Sequence, residues 1–174
     1  MSEQWFLDQA RLGNMYHSNN TTAGAVTVLS ATCTGLVLSN PIGSGKDLVV
    51  KEMSFVGSTL STIAEIGIAV SSAIATATQT GTAAVIHNAR LKGSNGDVGV
   101  GLVHSIATLL TTPVWLRPIG SARVTGTTDG TSAFIAAFEG SLVVTPGTYV
   151  AFSTLTAART GLCSVTWAEA DQVS

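Results

Sequence analysis

The sequence predicts an all-β protein, a jelly-roll-like antiparallel β-sandwich with a short N-terminal arm. Three observations lead there. Charged residues make up 10% of the 174 positions, where a soluble globular domain carries about 25%. Their place is taken by 24 Thr, 22 Ala, 18 Gly and 18 Ser, small or β-compatible side chains that leave no heavily solvated helix face. Apolar residues recur with period two in short runs separated by turn-forming pairs, the pattern of half-buried strands. The length suits one compact domain that buries about 70% of its unfolded surface, divided into an arm over residues 1–22 and a sandwich over 23–174.

The arm concentrates Trp5, Phe6, Leu7, Leu12, Met15 and Tyr16 ahead of any strand pattern. A helical turn over residues 5–12, stopped by Gly13 and Asn14, is the local structure this allows. From Ala23 onward the pattern is β: Val26 and Val28, then Leu36, Val37 and Leu38 before the turn pair Asn40-Pro41. Strict alternation over residues 48–56 puts Val49, Met53 and Phe55 on one face with Lys51, and Leu48, Val50 and Val56 on the other with Glu52. Both faces are apolar, so one is expected to be covered by another subunit. Residues 63–70 alternate cleanly, with Ile66, Ile68 and Val70 together.

Turn chemistry then sets the pairing. Asn95-Gly96 and Asp129-Gly130 suit type I′ hairpins; the first is expected to join residues 83–92 to 98–106, the second 122–125 to 133–139, with Phe134, Ala136 and Phe138 pointing one way. Thr145-Pro146-Gly147-Thr148 reads as a type II turn between 141–144 and 149–153. A last strand over 162–169 aligns Cys163, Val165 and Trp167. The total is nine or ten strands, no helix longer than two turns, and no repeat of 20 to 50 residues.

Several function classes are disfavoured by the same residues. A net charge of −2 and a pI near 5.8 provide no basic stripe for phosphates, so no nucleic-acid partner is expected. Residues 12–45, 66–89 and 98–116 lack charge and have the length of membrane spans. Their many Thr and Ser, with His104 and Pro113 in the third, read instead as strands and uncharged turns, so no membrane partner is expected. Glu3 and Asp8 precede any apolar run, unlike a secretory signal. Cys33 and Cys163 lie 130 positions apart with no Cys-x-x-Cys; two reduced core residues are the simpler reading, with a disulfide between first and last strands left open.

Catalytic and cofactor signatures are weak. The segment Asn40-Pro41-Ile42-Gly43-Ser44-Gly45-Lys46-Asp47 resembles a phosphate-binding loop, but Asn40 stands where the first glycine belongs and Asp47 where a Ser or Thr would hold magnesium. A strand follows instead of the helix whose N-terminus receives the anion. His17, His87 and His104 show no metal-ligand spacing. A simple hairpin about Asn95-Gly96 would bring His87 and His104 face to face, as hydrogen-bonded imidazoles or as a ligand or pH-sensing pair. There is no Gly-x-Ser-x-Gly elbow, and the carboxylates Glu52, Glu65, Asp97, Asp129, Glu139, Glu169 and Asp171 are scattered. The formal glycosylation sequons at Asn19 and Asn20 read as a polar loop. The expectation is no enzyme, no catalytic residue, no cofactor and no metal.

Two segments carry a resemblance. Residues Phe138-Glu139-Gly140-Ser141-Leu142-Val143-Val144-Thr145-Pro146-Gly147-Thr148-Tyr149-Val150-Ala151, followed by Ser164-Val165-Thr166-Trp167-Ala168-Glu169, resemble small tailed-bacteriophage and prophage virion structural proteins. In those a strand, a Pro-Gly turn, a strand and a terminal Trp-x-Glu strand close a β-sandwich. Residues 35–46 are similar to a loop between early strands of the same kind of protein. The resemblance implies a capsid decoration or cement protein, or a head fibre, commonly a homotrimer. Its partners would be copies of itself and the phage major capsid protein or other virion proteins, and its place the virion assembled in the bacterial host cytoplasm. The alternative is a fibre or tail component that recognises a host surface glycan. The expected interface residues are Trp5, Phe6 and Leu7 of the arm and Val49, Met53 and Phe55 of the two-sided strand.

Overall fold

The computed structural model describes residues 2–58, 61–91, 99–124 and 133–172. One helix, α1 (Glu3–Leu12), precedes twelve strands: β1 (Met15–Asn19), β2 (Gly24–Val26), β3 (Thr32–Ser39), β4 (Lys46–Gly57), β5 (Ser61–Ser71), β6 (Gly81–Ala83), β7 (Ile86–Asn88), β8 (Leu102–Thr108), β9 (Pro113–Val124), β10 (Ala133–Val144), β11 (Tyr149–Thr154) and β12 (Arg159–Asp171). The strands form two antiparallel sheets. Sheet 1 runs β10-β4-β12-β1-β7, with β2 paired to the start of β12, and sheet 2 runs β6-β8-β3-β11-β5-β9.

Eight of these strands wind as a jelly roll. The order β1-β12-β4-β10 faces β3-β11-β5-β9, and the chain changes sheet at every step except from β5 to β9. The excursion between those two adds β7 beside β1 and β8 with β6 beside β3, widening both sheets at the same edge. Between the sheets lie Trp167, Phe55, Phe152, Leu36, Leu38, Leu48, Met53, Ile66 and Ile68, all fully buried. The inward sets read from alternation on β5 and β12 are found there: Ile66 and Ile68, with Val70 at the margin, and Cys163, Val165 and Trp167. Phe134, Ala136 and Phe138 likewise face inward while Ala133, Ile135 and Ala137 are exposed.

The pairing differs from the hairpins that the turn residues predict. Asn95-Gly96 and Asp129-Gly130 lie outside the described residues. The strands flanking the second, β9 and β10, belong to different sheets, so they are not a hairpin. Of the described residues in 83–92 only Ala83 pairs with β8; β7 crosses to sheet 1 and pairs with β1. The crossing is fixed by Ala84 N donating to Val103 O (2.9 Å) and Ser18 Oγ donating to Val85 O (2.7 Å). At Thr145-Pro146-Gly147-Thr148 the turn is present, with Thr148 N donating to Thr145 O at 3.0 Å and Gly147 at φ 82°. It carries the chain from sheet 1 to sheet 2 instead of closing a hairpin.

Strand β4 departs from strict alternation. Glu52 pairs with Thr166 and Val50 with Trp167, leaving Lys51 as an extra residue, a β-bulge. The bulge reverses the phase, so Leu48 and Val50 face the core before it and Met53 and Phe55 after it. The two-sided reading of this strand came from carrying one phase through the bulge.

The arm is less separate than its composition implies. Helix α1 is capped by Ser2, whose Oγ accepts from Trp5 N at 3.4 Å, and by Gly13, whose N–H donates to Ala10 O at 3.2 Å. Glu3 in its first turn and Arg11 in its last complement the helix dipole. At ten residues it begins two positions earlier than the 5–12 segment expected and is longer than the two turns allowed for any helix. It lies on the outer face of sheet 1, where Phe6 packs with Met15, Val49 and Ala168. Residues 15–19 are an integral strand between β12 and β7, so the boundary at residue 22 falls inside the sandwich. No helix among the described residues is long and apolar enough to cross a membrane.

Candidate functional site

The phosphate-loop lookalike is organised by a buried asparagine. Asn40 Nδ2 donates to Lys46 O (2.7 Å) and Val144 O (2.8 Å), its Oδ1 accepts from Ser44 Oγ (2.6 Å), and its carbonyl accepts from Gly147 N (2.8 Å). Gly43 and Gly45 take φ of 77° and 68°, the left-handed region that accounts for glycine at both. Strand β4 begins at Lys46, whose Nζ binds Asp171 Oδ1 at 2.6 Å and holds that carboxyl below its ordinary range. The loop therefore ties β3, β4 and β10 together and has no helix N-terminus to offer an anion.

The Trp-x-Glu pattern has an equally structural explanation. Glu169 is buried, its Oε2 accepting from Val100 N (3.0 Å) and its Oε1 from Gly101 N (2.9 Å) and Trp167 Nε1 (3.4 Å). A carboxylate that receives two backbone N–H groups serves as a cap for irregular chain, here fastening the entry to β8. Asn20 does the same elsewhere: its Nδ2 donates to Thr22 O and Gly161 O and its Oδ1 accepts from Cys163 N. Its side chain is buried, which gives this sequon asparagine a role in folding.

Neither cysteine is paired. Cys33 packs on the outer side of sheet 2 beneath Leu109 and Tyr149, and Cys163 sits in the core. Burial pushes the Cys33 thiol up to about 12 and raises that of Cys163 as well, so both remain protonated and unreactive at neutral pH.

The three histidines sort differently from the hairpin expectation. His104 opposes Val37 and Ala83 in sheet 2, while His87 opposes His17 in sheet 1. His87 and His104 are thus on different sheets and do not form a pair. His104 is 7% exposed, with no hydrogen-bond partner at Nδ1 among the described residues, and burial lowers its pKa. A depressed histidine pKa means that the unfolded chain binds the proton more readily. Its contribution to stability is complete above about pH 6.5 and is lost as pH falls through the folded value. Urea unfolding between pH 7.5 and 5 is expected to show this loss, and His104→Leu to flatten that part of the profile; an unchanged slope in the variant contradicts the assignment.

A recess of about 480 Å³ opens where the widened edges of the two sheets part, between the β1–β2 turn, β3 and the β6–β7 crossing. Its walls are Asn19, Asn20 and Thr, Ala, Gly and Ser residues with Val85 and Ile106 exposed, and no titratable side chain lines it. It suits an apolar side chain or similar small group and contributes no general acid or base. Among the described residues no three His, Cys, Asp or Glu converge.

Of the six expected interface residues, Phe6, Val49, Met53 and Phe55 are buried within the chain itself, Trp5 is half-buried and Leu7 is 45% exposed. What sheet 1 presents outward lies beyond α1. Ala133, Val56 and Leu162 form one cross-strand row over β10, β4 and β12, and Ile135 stands in the next row beside Ser54 and Ser164, whose hydroxyls bond at 2.6 Å. Ile135 is 66% exposed, Leu162 40% and Val56 37%. This strip reaches β10, an edge strand whose twelve residues carry a single charge, Glu139. The opposite edge strand of sheet 2 in the same flank, β9, carries Pro113, Arg117 and Pro118, residues that block strand addition.

No family model matches the chain, and no curated protein and no solved structure is similar to it.

Proposed function

We propose that this chain is a virion structural protein of a tailed bacteriophage, a capsid decoration or cement protein that binds the assembled head shell as a homotrimer. The observation that carries the reading is the apolar strip Ala133, Val56, Leu162 and Ile135 on the outer face of sheet 1, continuous with the weakly charged edge of β10. An exposed apolar face rimmed by polar residues marks an interaction surface. The jelly roll supports it as a scaffold used for viral shells among other roles, and the chain's low charge fits a molecule much of whose surface meets neighbours. The mechanism is mass action: a protein that binds only the assembled shell stabilises it by the free energy of binding.

Mixed with purified heads lacking this component, the wild-type chain is expected to cosediment with them and raise the temperature at which they rupture. The Ile135→Glu/Leu162→Glu variant is expected to stay in the supernatant with its own melting temperature little changed, because both side chains point to solvent. Equal binding by that variant contradicts the assignment of the surface.

A further inference from the structure

His17 and His87 occupy directly opposed positions on the antiparallel pair β1 and β7. Residues opposed in this way share a face and have Cβ atoms about 4.5–5.5 Å apart. That separation lets two imidazoles converge on one cation with N–metal distances of about 2.0–2.1 Å. The side of sheet 1 involved is the outer one: His17 is exposed and His87 half-buried, so water and ions reach both.

The ring of His17 is already oriented. Its Nδ1 lies 2.9 Å from Thr166 Oγ1 on β12, which leaves Nε2 as the free nitrogen. A metal-bound imidazole commonly donates its other N–H to an oxygen that fixes tautomer and orientation, and Thr166 is placed to accept it. Lys51 and Glu52 both lie near enough to His17 to act on it electrostatically, with opposite signs. Glu52 belongs to the same cross-strand row, in the order Glu52, Thr166, His17, His87, and its charge partly offsets that of Lys51 toward an incoming cation.

We propose that His17 and His87 form a two-histidine site for a divalent transition-metal cation of the zinc class on the outer face of sheet 1. No third His, Cys, Asp or Glu joins them among the described residues. The cation therefore keeps open positions for water or for a residue of a neighbouring molecule, as an intersubunit clip would. This site is independent of the apolar strip, and either can fail without the other.

The test is titration of the full chain with Zn²⁺ alone, in a non-chelating buffer at pH 7.5, by calorimetry and by NMR of the histidine ring protons. One equivalent is expected to bind, shifting the His17 and His87 rings and leaving His104 unmoved. His17→Ala and His87→Ala should each weaken binding at least tenfold, with His17→Gln and His87→Gln behaving alike if either alanine variant folds poorly. Thr166→Val should weaken it by about tenfold through loss of the orienting bond. Wild-type binding no tighter than that of the His17→Gln/His87→Gln chain overturns the proposal, as does a loss of binding caused by His104→Leu.

Discussion

Trp167→Ala is expected to cost about 4–5 kcal/mol of unfolding free energy, the largest loss for a single side chain in this fold. The indole is fully buried at the centre of β12, stacked on Tyr16 with ring centroids 5.7 Å apart, and its Nε1 faces Glu169. Large-to-small truncation of a buried aromatic costs about 3–5 kcal/mol through lost transfer energy and the cavity left behind. Loss of the ring pair adds about 0.5–1.5 kcal/mol. Strand β12 lies between β4 and β1, so the cavity opens where three strands of sheet 1 depend on one another. With total stabilities of about 5–15 kcal/mol usual for a domain, the variant sits close to unfolding. Urea denaturation measures the loss; one below about 1.5 kcal/mol contradicts the placement of this residue at the core.

Phe6→Ala is expected to cost about 3 kcal/mol and to release α1 from the sheet. A ten-residue helix is marginal by itself in water, so α1 persists because Phe6 packs on Met15, Val49 and Ala168. Trp5 adds an edge-on ring contact at 4.9 Å, and the Lys51 ammonium lies 5.8 Å from the centre of the Phe6 ring. Leu7, one position on, is 45% exposed, and Leu7→Ala should change stability by no more than about 0.5 kcal/mol. Hydrogen exchange of the amides of α1 separates the two: Phe6→Ala should abolish their protection and Leu7→Ala should preserve it. Equal effects from the two variants would contradict the docking of the helix through Phe6.

These two residues also mark what the sequence makes legible. The inward row Cys163, Val165, Trp167 and the row Ile66, Ile68, Val70 follow from alternation, because a strand's period is local and needs no partner to be read. Alternation says which face a residue takes but not which sheet its strand joins. In a jelly roll the chain changes sheet at nearly every turn, so pairs such as Pro146-Gly147 turn the chain without pairing the strands on either side. For that reason His87 meets His17, seventy positions away, and not His104 across the nearer turn. No local signal marks such a contact.

The bulge at Lys51 was hidden for a different reason. Its presence depends on β12 placing Thr166 and Trp167 opposite Glu52 and Val50, and residues 46–57 alone do not show it. Once the phase reverses there, Met53 and Phe55 turn to the core, and Val49 is left to be covered by α1. The arm is consequently a cover for the chain's own sheet, and the apolar side chains that remain exposed on it include Val56, Leu162 and Ile135.

Association of folded chains with one another is the central claim, and native mass spectrometry of the wild-type chain over a micromolar concentration series tests it most directly. A homotrimer that dissociates in the Ile135→Glu/Leu162→Glu variant is the predicted result. A strict monomer at every concentration would contradict it.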